Sequence, residues 1–305
     1  MSLLFKPAKS AERSYLSEFT FRLAKRLIDE AKVQDMVWLR ARQRLLKLYD
    51  WDLYKVSCRS ETINAVPCVS IRPKALAHPA QVIIYLHGGG YTVGSAEGYT
   101  LTMAKIALAT QAQVIGVEYR LAPEYAVPAA QEDCLAVTEA LIAQDSKREL
   151  ILMGDSAGGA LCLATLTALA SEGLHSHVAA CVLISPWLAP LDSSVLVQEN
   201  EMTDILDRGI TDHWKQNFYL DESQAIYLHQ ADVDLEILPP CYIQAAGSEV
   251  FIAQINDFSE RLKGAGCQLE YEVFPGQFHV FQTFAPLVRE AQGAINKIGA
   301  FTRSL

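Results

Sequence analysis

The clearest indication of chemistry in this sequence is a Gly-Asp-Ser-Ala-Gly pattern at residues 154–158. It follows an apolar run with strand character at residues 150–153, and a Leu-rich run of small residues that predicts a helix comes after it. A strand, a tight glycine turn and a helix in this order predict a nucleophile elbow, which lifts a serine hydroxyl above the end of a sheet. The first amides of the helix and its positive dipole end would point at the reacting centre. We interpret Ser156 as the nucleophile of an acyl-transfer reaction.

A second glycine-rich segment, His-Gly-Gly-Gly at residues 87–90, comes directly after the apolar strand-like run 82–86. Successive glycines let the backbone approach a ligand closely and direct several N–H groups at one point. The tetrahedral intermediate of acyl transfer carries an oxyanion that needs such donors. We predict that Gly89, Gly90 and Ala157 donate to it and that Gly88 shapes the loop. No Gly-Lys-Ser/Thr and no helix-opening Gly-x-Gly-x-x-Gly follows, which argues against a phosphate-binding loop.

His279 is the candidate base. It follows the strand-like residues 269–274 through a Pro-Gly turn at residues 275–276. Histidine is the usual base for a serine nucleophile because its pKa lies near neutrality. A lone histidine among apolar residues is also typical of a packed core, but the chain order serine, acid, histidine of α/β-hydrolase triads favours a catalytic His279.

The two glycine motifs and the His279 segment together resemble the hormone-sensitive-lipase family of α/β-hydrolase carboxylesterases, in particular its bacterial members with Gly-Asp-Ser-Ala-Gly. A further segment, Glu-Tyr-Arg-Leu-Ala-Pro-Glu at residues 118–124, is similar to a family stretch, with Glu118 in place of the usual Asp. The resemblance extends from about residue 50 to the C-terminus. It implies an α/β-hydrolase fold, with a mostly parallel central sheet flanked by helices and a helical cap. It also implies that no cofactor and no metal is required.

The resemblance also indicates the acid of the triad. The family places this acid just after the strand that precedes the histidine strand, and here Gly-Ser-Glu-Val-Phe at residues 247–251 follows the strand-like run 241–246. Glu249 falls on the acid position. The segment departs from the family pattern, because one turn residue is missing or replaced and Ala253 stands where a second Asp is common. Asp257 is the alternative acid, although we expect it on the next helix, facing solvent.

The composition is that of a globular enzyme. The chain has 305 residues, of which 50% are hydrophobic and 20% charged, and we predict a single α/β-hydrolase domain over residues 1–305. The net charge of −9 argues against nucleic-acid binding and gives no attraction to anionic lipid. No apolar run reaches the roughly 18 residues of a membrane-spanning helix, so no stable membrane insertion is expected.

Cysteine and histidine usage indicates neither disulfides nor a metal site. The seven cysteines are scattered without Cys-x-x-Cys spacing, and no secretory leader pattern opens the chain. These features are typical of free thiols in a reducing compartment, and we predict a cytoplasmic protein. His175 and His177 could form a metal pair, but they close the helix after Ser156, where the helix dipole favours histidine. We therefore predict no metal site.

Alternating strand-like and helical runs in the rest of the chain predict a mostly parallel sheet with helices on both faces. Residues 52–72 are predicted as edge strands broken by Pro67. Residues 11–50 are predicted as two amphipathic helices that pack on the core through apolar side chains at helical spacing. These side chains are Leu16, Phe19, Leu23 and Leu27 in the first helix and Trp38, Ala41, Leu45 and Leu48 in the second.

The family resemblance implies a cap over the active site, formed by about residues 1–50 and 187–238. The second of these segments contains four aromatic residues that suit the wall of an apolar acyl pocket. They are Trp214, Phe218, Tyr219 and Tyr227.

We predict a serine carboxylesterase that hydrolyses small-molecule esters with short- to medium-chain acyl groups through an acyl-enzyme. The same triad also fits an amide or acetyl deacylase, or a partner-regulating protein with incidental esterase activity. A non-catalytic ligand-binding protein of this fold is a further alternative, and the presence of His279 argues against it. The resemblance is compatible with a homodimer, which no residue pattern indicates by itself.

Overall fold

One β-sheet organises the computed structural model, which describes residues 13–31, 50–76, 79–191, 194–218, 232–285 and 287–305. Its strands are β1 (Val56–Ile63), β2 (Val66–Pro73), β3 (Gln81–Leu86), β4 (Gln113–Val117), β5 (Glu149–Asp155), β6 (Val178–Ile184), β7 (Cys241–Ala246) and β8 (Leu269–Phe274). Within the described residues these eight strands lie in the order β1-β2-β4-β3-β5-β6-β7-β8.

The sheet is mostly parallel. β1 pairs with β2 and β2 with β4 in antiparallel fashion, and the pairs from β4 through β8 are parallel. β3, β5, β6 and β7 are buried along nearly their whole length. Parallel sheets are covered on both faces, and this explains why these strands are continuous apolar runs in the sequence. The predicted α/β architecture is confirmed.

Helices connect most of the parallel strands. They are α1 (Tyr15–Ala31), α2 (Thr100–Thr110), α3 (Ala129–Gln144), α4 (Ala157–Ser171), α5 (Val195–Asn200), α6 (Arg208–Phe218), α7 (Ile252–Gly264) and α8 (Arg289–Arg303). α2 packs against α8, and α3 packs against α4. α4 follows β5 after a single residue and lies against it, so that the tight turn predicted at Ser156 falls at a strand end.

The predicted break at Pro67 is wrong. Pro67 lies inside β2 and pairs with Thr62, and the hairpin turns instead at Asn64 and Ala65, whose φ angles are +46° and +65°. Proline lacks only the N–H donor of the backbone. The carbonyl of Pro67 still accepts a hydrogen bond from Glu118 N–H at 3.0 Å. Proline is therefore compatible with this strand position.

The predicted buried face of α1 is also wrong. Leu16, Phe19 and Leu23 are 56%, 59% and 48% exposed, whereas Phe21 and Ala24 are buried. Contacts from its other face orient the helix. Phe21 packs on the ring of Phe278 with 5.7 Å between centroids. Residues at the start of the helix donate hydrogen bonds to the loop that carries Phe278. The second helix predicted before residue 50 lies outside the described residues.

Candidate active site

Ser156 stands at the sharp turn between β5 and α4. Its φ of +53° and ψ of −121° form a conformation that residues with a β-carbon rarely adopt. Its N–H donates to the carbonyl oxygen of Ile184 at 2.9 Å, and its carbonyl accepts from the N–H of Trp187 at 3.0 Å. The strained turn is thus held from the end of β6, as in a nucleophile elbow.

Close backbone approach explains the last glycine of the motif. A β-carbon on Gly158 would overlap the carbonyl oxygen of Leu86. The first turn of α4 is therefore packed directly against the end of β3, where the His-Gly-Gly-Gly loop begins. Any larger residue at position 158 would separate the nucleophile elbow from that loop.

His279 is paired with Glu249. Nδ1 of His279 lies 2.7 Å from Oε2 of Glu249, and the two residues are only 4% and 0% exposed. The second carboxylate oxygen, Oε1, accepts from the N–H of Ala246 at 2.7 Å, which orients the carboxylate. Asp257 is exposed on α7. The structure therefore brings Glu249, rather than Asp257, to His279.

The surrounding charges favour a protonated His279. Burial by itself lowers the pKa of His279, but the hydrogen bond with Glu249 and the negative charges of Glu249, Asp204 and Asp155 outweigh it, so that the pKa is raised. An imidazolium formed by proton transfer would be stabilised in the same way. The interaction with Asp155 also relates His279 to the elbow, because Asp155 directly precedes Ser156.

The glycine loop divides into a structural part and a part with unused donors. The N–H of Gly88 donates to Oδ1 of Asp155 at 3.1 Å. Gly89 and Gly90 have φ angles of +121° and +58°, which favour glycine. Among the hydrogen bonds of the described residues, none uses the N–H of Gly89, Gly90 or Ala157. These three amides remain for an external acceptor.

Asp155, inside the Gly-Asp-Ser-Ala-Gly motif, has a role that sequence reasoning missed. In addition to the Gly88 amide, its carboxylate accepts from the hydroxyls of Tyr85 at 2.8 Å and Tyr99 at 2.9 Å. Burial raises the pKa of Asp155 to about 6, although these three donors act in the opposite direction. The residue is thus a buried anchor between the elbow and the glycine loop. Its place in the motif was the only available signal.

His87 supports the same loop as a neutral side chain. It is 1% exposed and stacks on Tyr119, with 4.3 Å between ring centroids. Burial lowers the pKa of His87 to about 4. The Tyr119 hydroxyl also donates to the His87 carbonyl at 2.7 Å. These contacts fix the backbone that enters the three glycines.

An aromatic wall, which we define as Trp214, Trp187, Phe251 and Phe218, adjoins the loop and His279. A β-carbon on Gly90 would overlap the indole of Trp214, so the indole lies directly on this glycine. Trp187 lies 6.4 Å from Trp214 and 5.8 Å from Phe251, and Phe251 lies 5.1 Å from His279, between ring centroids.

Phe218 stacks on Tyr91 with 3.8 Å between centroids. Helix α6 is thereby packed on the glycine loop. Tyr219 and Tyr227 lie outside the described residues.

A second buried acid, Asp204, also contacts the His279 segment and is 0% exposed. It lies between α5 and α6, and no pattern in the sequence distinguished it from a surface aspartate.

The two histidines considered as a metal pair belong to the short 3-10 helix His175–His177. Within the described ranges, no group of three or more His, Cys, Asp or Glu side chains could hold a metal ion.

Comparison with known proteins relates this geometry to a family. A family model described as "alpha/beta hydrolase fold" matches residues 83–283. An esterase of Acinetobacter venetianus is 30% identical over 257 residues, which cover 78% of this chain and 84% of that protein. An acetyl-hydrolase of Streptomyces hygroscopicus is 31% identical over 248 residues, which cover 80% of this chain and 82% of that protein.

Solved structures agree with these relatives. An esterase described as belonging to the bacterial hormone-sensitive lipase family matches with a TM-score of 0.84 and 31% identity, covering 96% of this chain and 98% of that one. This chain belongs to the hormone-sensitive-lipase family of α/β-hydrolase esterases. A mutant of the esterase E40 matches this esterase with the same TM-score and identity, covering 97% of the chain and 99% of that structure. The predicted fold, family and ester-hydrolase activity are confirmed. In the part of the esterase that the structure describes, no helix is both long and apolar enough to cross a membrane.

Proposed function

We propose that this esterase cleaves carboxylic esters through a Ser156–His279–Glu249 triad and an acyl-enzyme. His279 takes the proton of the Ser156 hydroxyl as the oxygen attacks the ester carbonyl carbon. The tetrahedral intermediate then collapses, and His279 returns the proton to the departing alcohol. Water attacks the resulting acyl-enzyme with the same proton transfers and releases the acid and free Ser156.

The observation that carries this proposal is the buried 2.7 Å contact between His279 Nδ1 and Glu249 Oε2. A carboxylate in this position holds the imidazole in the tautomer that leaves Nε2 free to accept a proton, and it stabilises the imidazolium. A protein that only binds a ligand would not need this pair. An amide deacylase would need the same pair, so the substrate has to be tested separately.

The oxyanion is held by the amides of Gly89, Gly90 and Ala157. Support comes from the three N–H groups without an acceptor among the described residues. Preorganised donors of this kind stabilise the charge that develops on the carbonyl oxygen. Gly88 does not donate to it, because its N–H is engaged by Asp155.

The preferred substrates are soluble small-molecule esters with short- to medium-chain acyl groups. The Trp214 indole on Gly90 and the neighbouring Trp187 support this size limit, because large rigid rings reduce the space beside the oxyanion donors. The name of the acetyl-hydrolase relative agrees with a short acyl group. The cap of about residues 1–50 and 187–238 and the homodimer remain predictions.

A cytoplasmic location is proposed on the state of the cysteines. All seven are free thiols, and five of them are buried. Free cysteines in this number are typical of proteins that fold in a reducing compartment.

The test is hydrolysis of p-nitrophenyl acetate, butyrate, octanoate and palmitate by the wild type, Ser156→Ala and the control Ser171→Ala, whose serine ends the same helix. We expect turnover of the shorter esters by the wild type and the control, and background rates for Ser156→Ala. A fluorophosphonate probe should label the wild type and the control but not Ser156→Ala. Retained turnover and labelling in Ser156→Ala would disprove the assignment of the nucleophile.

A further inference from the structure

We propose that Asp204 is a positioning residue of this active site, which holds the His279 and Glu249 segments together and supplies a second negative charge to the imidazolium. The inference rests on the proposed triad. It assigns a catalytic contribution to an acid that belongs neither to the triad nor to the glycine motifs.

The hydrogen bonds of Asp204 reach both catalytic segments. Its Oδ1 accepts from the N–H of His279 at 2.8 Å, and its Oδ2 accepts from the N–H of Val250 at 2.9 Å. Val250 directly follows Glu249. One rigid carboxylate therefore spans the backbones that carry the base and the acid, and it sets their separation. Charge-assisted bonds to backbone amides are short and directional, which suits this task.

The segment that carries Asp204 is itself fixed to the acid loop. The Asp204 N–H donates to the carbonyl of Asn200 at 2.8 Å, and the Asn200 side-chain amide donates to the carbonyl of Glu249 at 2.9 Å. Oδ1 of Asp204 also accepts from the N–H of Ile205 at 2.7 Å. The position of Asp204 thus depends on neighbours that belong to the same site.

Three charged or titratable groups face Asp204, namely His279, Glu249 and the guanidinium of Arg13. The guanidinium donates to the carbonyls of Thr203 and Gly276. Burial raises the pKa of Asp204 to about 6, while His279 and the backbone donors oppose this rise. The bonds from the backbone N–H groups of His279 and Val250 stabilise the ionised form of Asp204. Its charge favours the protonated form of His279, as do those of Glu249 and Asp155.

Another buried aspartate of this chain provides a matched control. Asp133 is 8% exposed and accepts from the backbone N–H of Arg120 at 2.8 Å and from the Arg120 Nε. Like Asp204, it links two segments through a backbone amide. Its contacts are to Arg120, and it is not among the charges that act on His279. Asp133→Asn therefore measures the loss of a buried structural carboxylate without the proposed catalytic role.

The experiment is the pH profile of kcat/KM for p-nitrophenyl acetate with the wild type, Asp204→Asn, Asp204→Glu, Asp133→Asn and Ser156→Ala, with folding checked by circular dichroism. We call the fall of kcat/KM at low pH the acid limb. In Asp204→Asn we expect it to move to lower pH, because the loss of a negative charge near His279 lowers the pKa of the imidazole. We also expect the plateau to fall by about 10²-fold, because the base is displaced. Asp204→Glu should keep the acid limb near that of the wild type, and Asp133→Asn should leave it unchanged.

An acid limb of folded Asp204→Asn that coincides with that of the wild type would overturn the proposal, whatever happens to the plateau or to Tm. If Asp204→Asn does not fold, Asp204→Ser decides, because a hydroxyl can still accept from a backbone N–H but carries no charge. The acid limb should again move to lower pH, and an unmoved limb would overturn the proposal. Activity retained by Ser156→Ala would instead disprove the underlying triad, so the two failures are distinguishable.

Discussion

The carboxylate of Asp155 and the amide of Gly88 are joined by a 3.1 Å hydrogen bond that connects the nucleophile elbow with the glycine loop. Asp155 directly precedes Ser156, and Gly88 directly precedes the two glycines with unused donors. Any movement of one segment therefore displaces the other. The separation of the elbow and the glycine loop is set by a single buried side chain, which Tyr85 and Tyr99 hold in place.

Replacing Asp155 by Asn should reduce kcat/KM by about 10²-fold, as loss of an oxyanion donor does in other serine hydrolases. An amide oxygen can replace Oδ1, which accepts from Gly88 and Tyr85, or Oδ2, which accepts from Tyr99, and the NH2 group then takes the other position, where it cannot accept. Steady-state kinetics with p-nitrophenyl acetate checks this expectation. Glu149→Gln, at the exposed start of the same strand, is the control and should retain wild-type kinetics. Equal kinetics for Asp155→Asn would refute this link.

Two substitutions distinguish Glu249 from Asp257 as the acid of the triad. Glu249→Gln should lower kcat by about 10³- to 10⁴-fold, because the amide no longer holds the imidazole tautomer or stabilises the imidazolium. Asp257→Asn should have no effect on kcat, since Asp257 is exposed on α7. The measurement is kcat with p-nitrophenyl butyrate for both variants. The opposite ranking would reassign the acid to Asp257.

The activity of the wild type should fall as the pH is lowered through the pKa of His279, because an imidazolium cannot accept the Ser156 proton. The pKa of His279 is raised from 6.5, so the acid limb of kcat/KM should lie above that pH. Glu249→Gln removes the partner that raises it most and should move the limb to lower pH. Profiles between about pH 5 and about pH 9 measure both effects. A wild-type limb below pH 6.5 would contradict this electrostatic description.

Removing the Trp214 ring should extend the range of acyl chains. In Trp214→Ala, space opens beside Gly90, and the ratio of kcat/KM for octanoate to that for acetate should rise by about tenfold or more. Trp51→Ala is the matched control, because Trp51 is 80% exposed, and it should leave the ratio unchanged. An unaltered ratio in Trp214→Ala would show that the indole does not limit the acyl group.

Two glycine-to-alanine substitutions should change stability in opposite directions. Gly158→Ala brings a β-carbon onto the Leu86 carbonyl and should lower Tm and activity together, because overpacking costs about 1–3 kcal/mol or more. Gly293 lies inside α8, where a methyl group would meet open space, and Gly293→Ala should stabilise by about 0.5–1 kcal/mol. Thermal unfolding with a parallel activity assay measures both. A stable, active Gly158→Ala would contradict the close approach.

The contiguous motifs were sufficient to predict the fold and to select candidate residues. The motif around Ser156 is a run of adjacent residues, and strands such as β7 and β8 are recognisable as strand-like runs with local turn signals. Such features are encoded locally, because backbone conformation and strand pattern follow from adjacent side chains. The family assignment followed from the same segments. For the triad residues, the structure adds the buried contact between His279 and Glu249.

Local pattern failed where packing decides. Helix α1 has an apolar stripe at helical spacing, yet it turns that stripe outward and buries Phe21, because its neighbours are the loop before His279 and the segment near Asp204. Proline usually interrupts a strand because it has no N–H donor. At its position in β2, Pro67 forms its hydrogen bond through its carbonyl, which accepts from Glu118 N–H. Neither outcome can be read from a residue and its neighbours in sequence.

The sequence by itself determined the class of the protein, the elbow and the residues that could form a triad. Only the tertiary structure decided that Glu249, rather than Asp257, meets His279, that Asp155 anchors Gly88, and that Asp204 spans the segments of His279 and Glu249. Asp204 and His279 are 75 positions apart, and Asp155 and Gly88 are 67 apart. Contacts over such separations arise when the whole sheet and its helices close a common core, and no local preference of the chain specifies them.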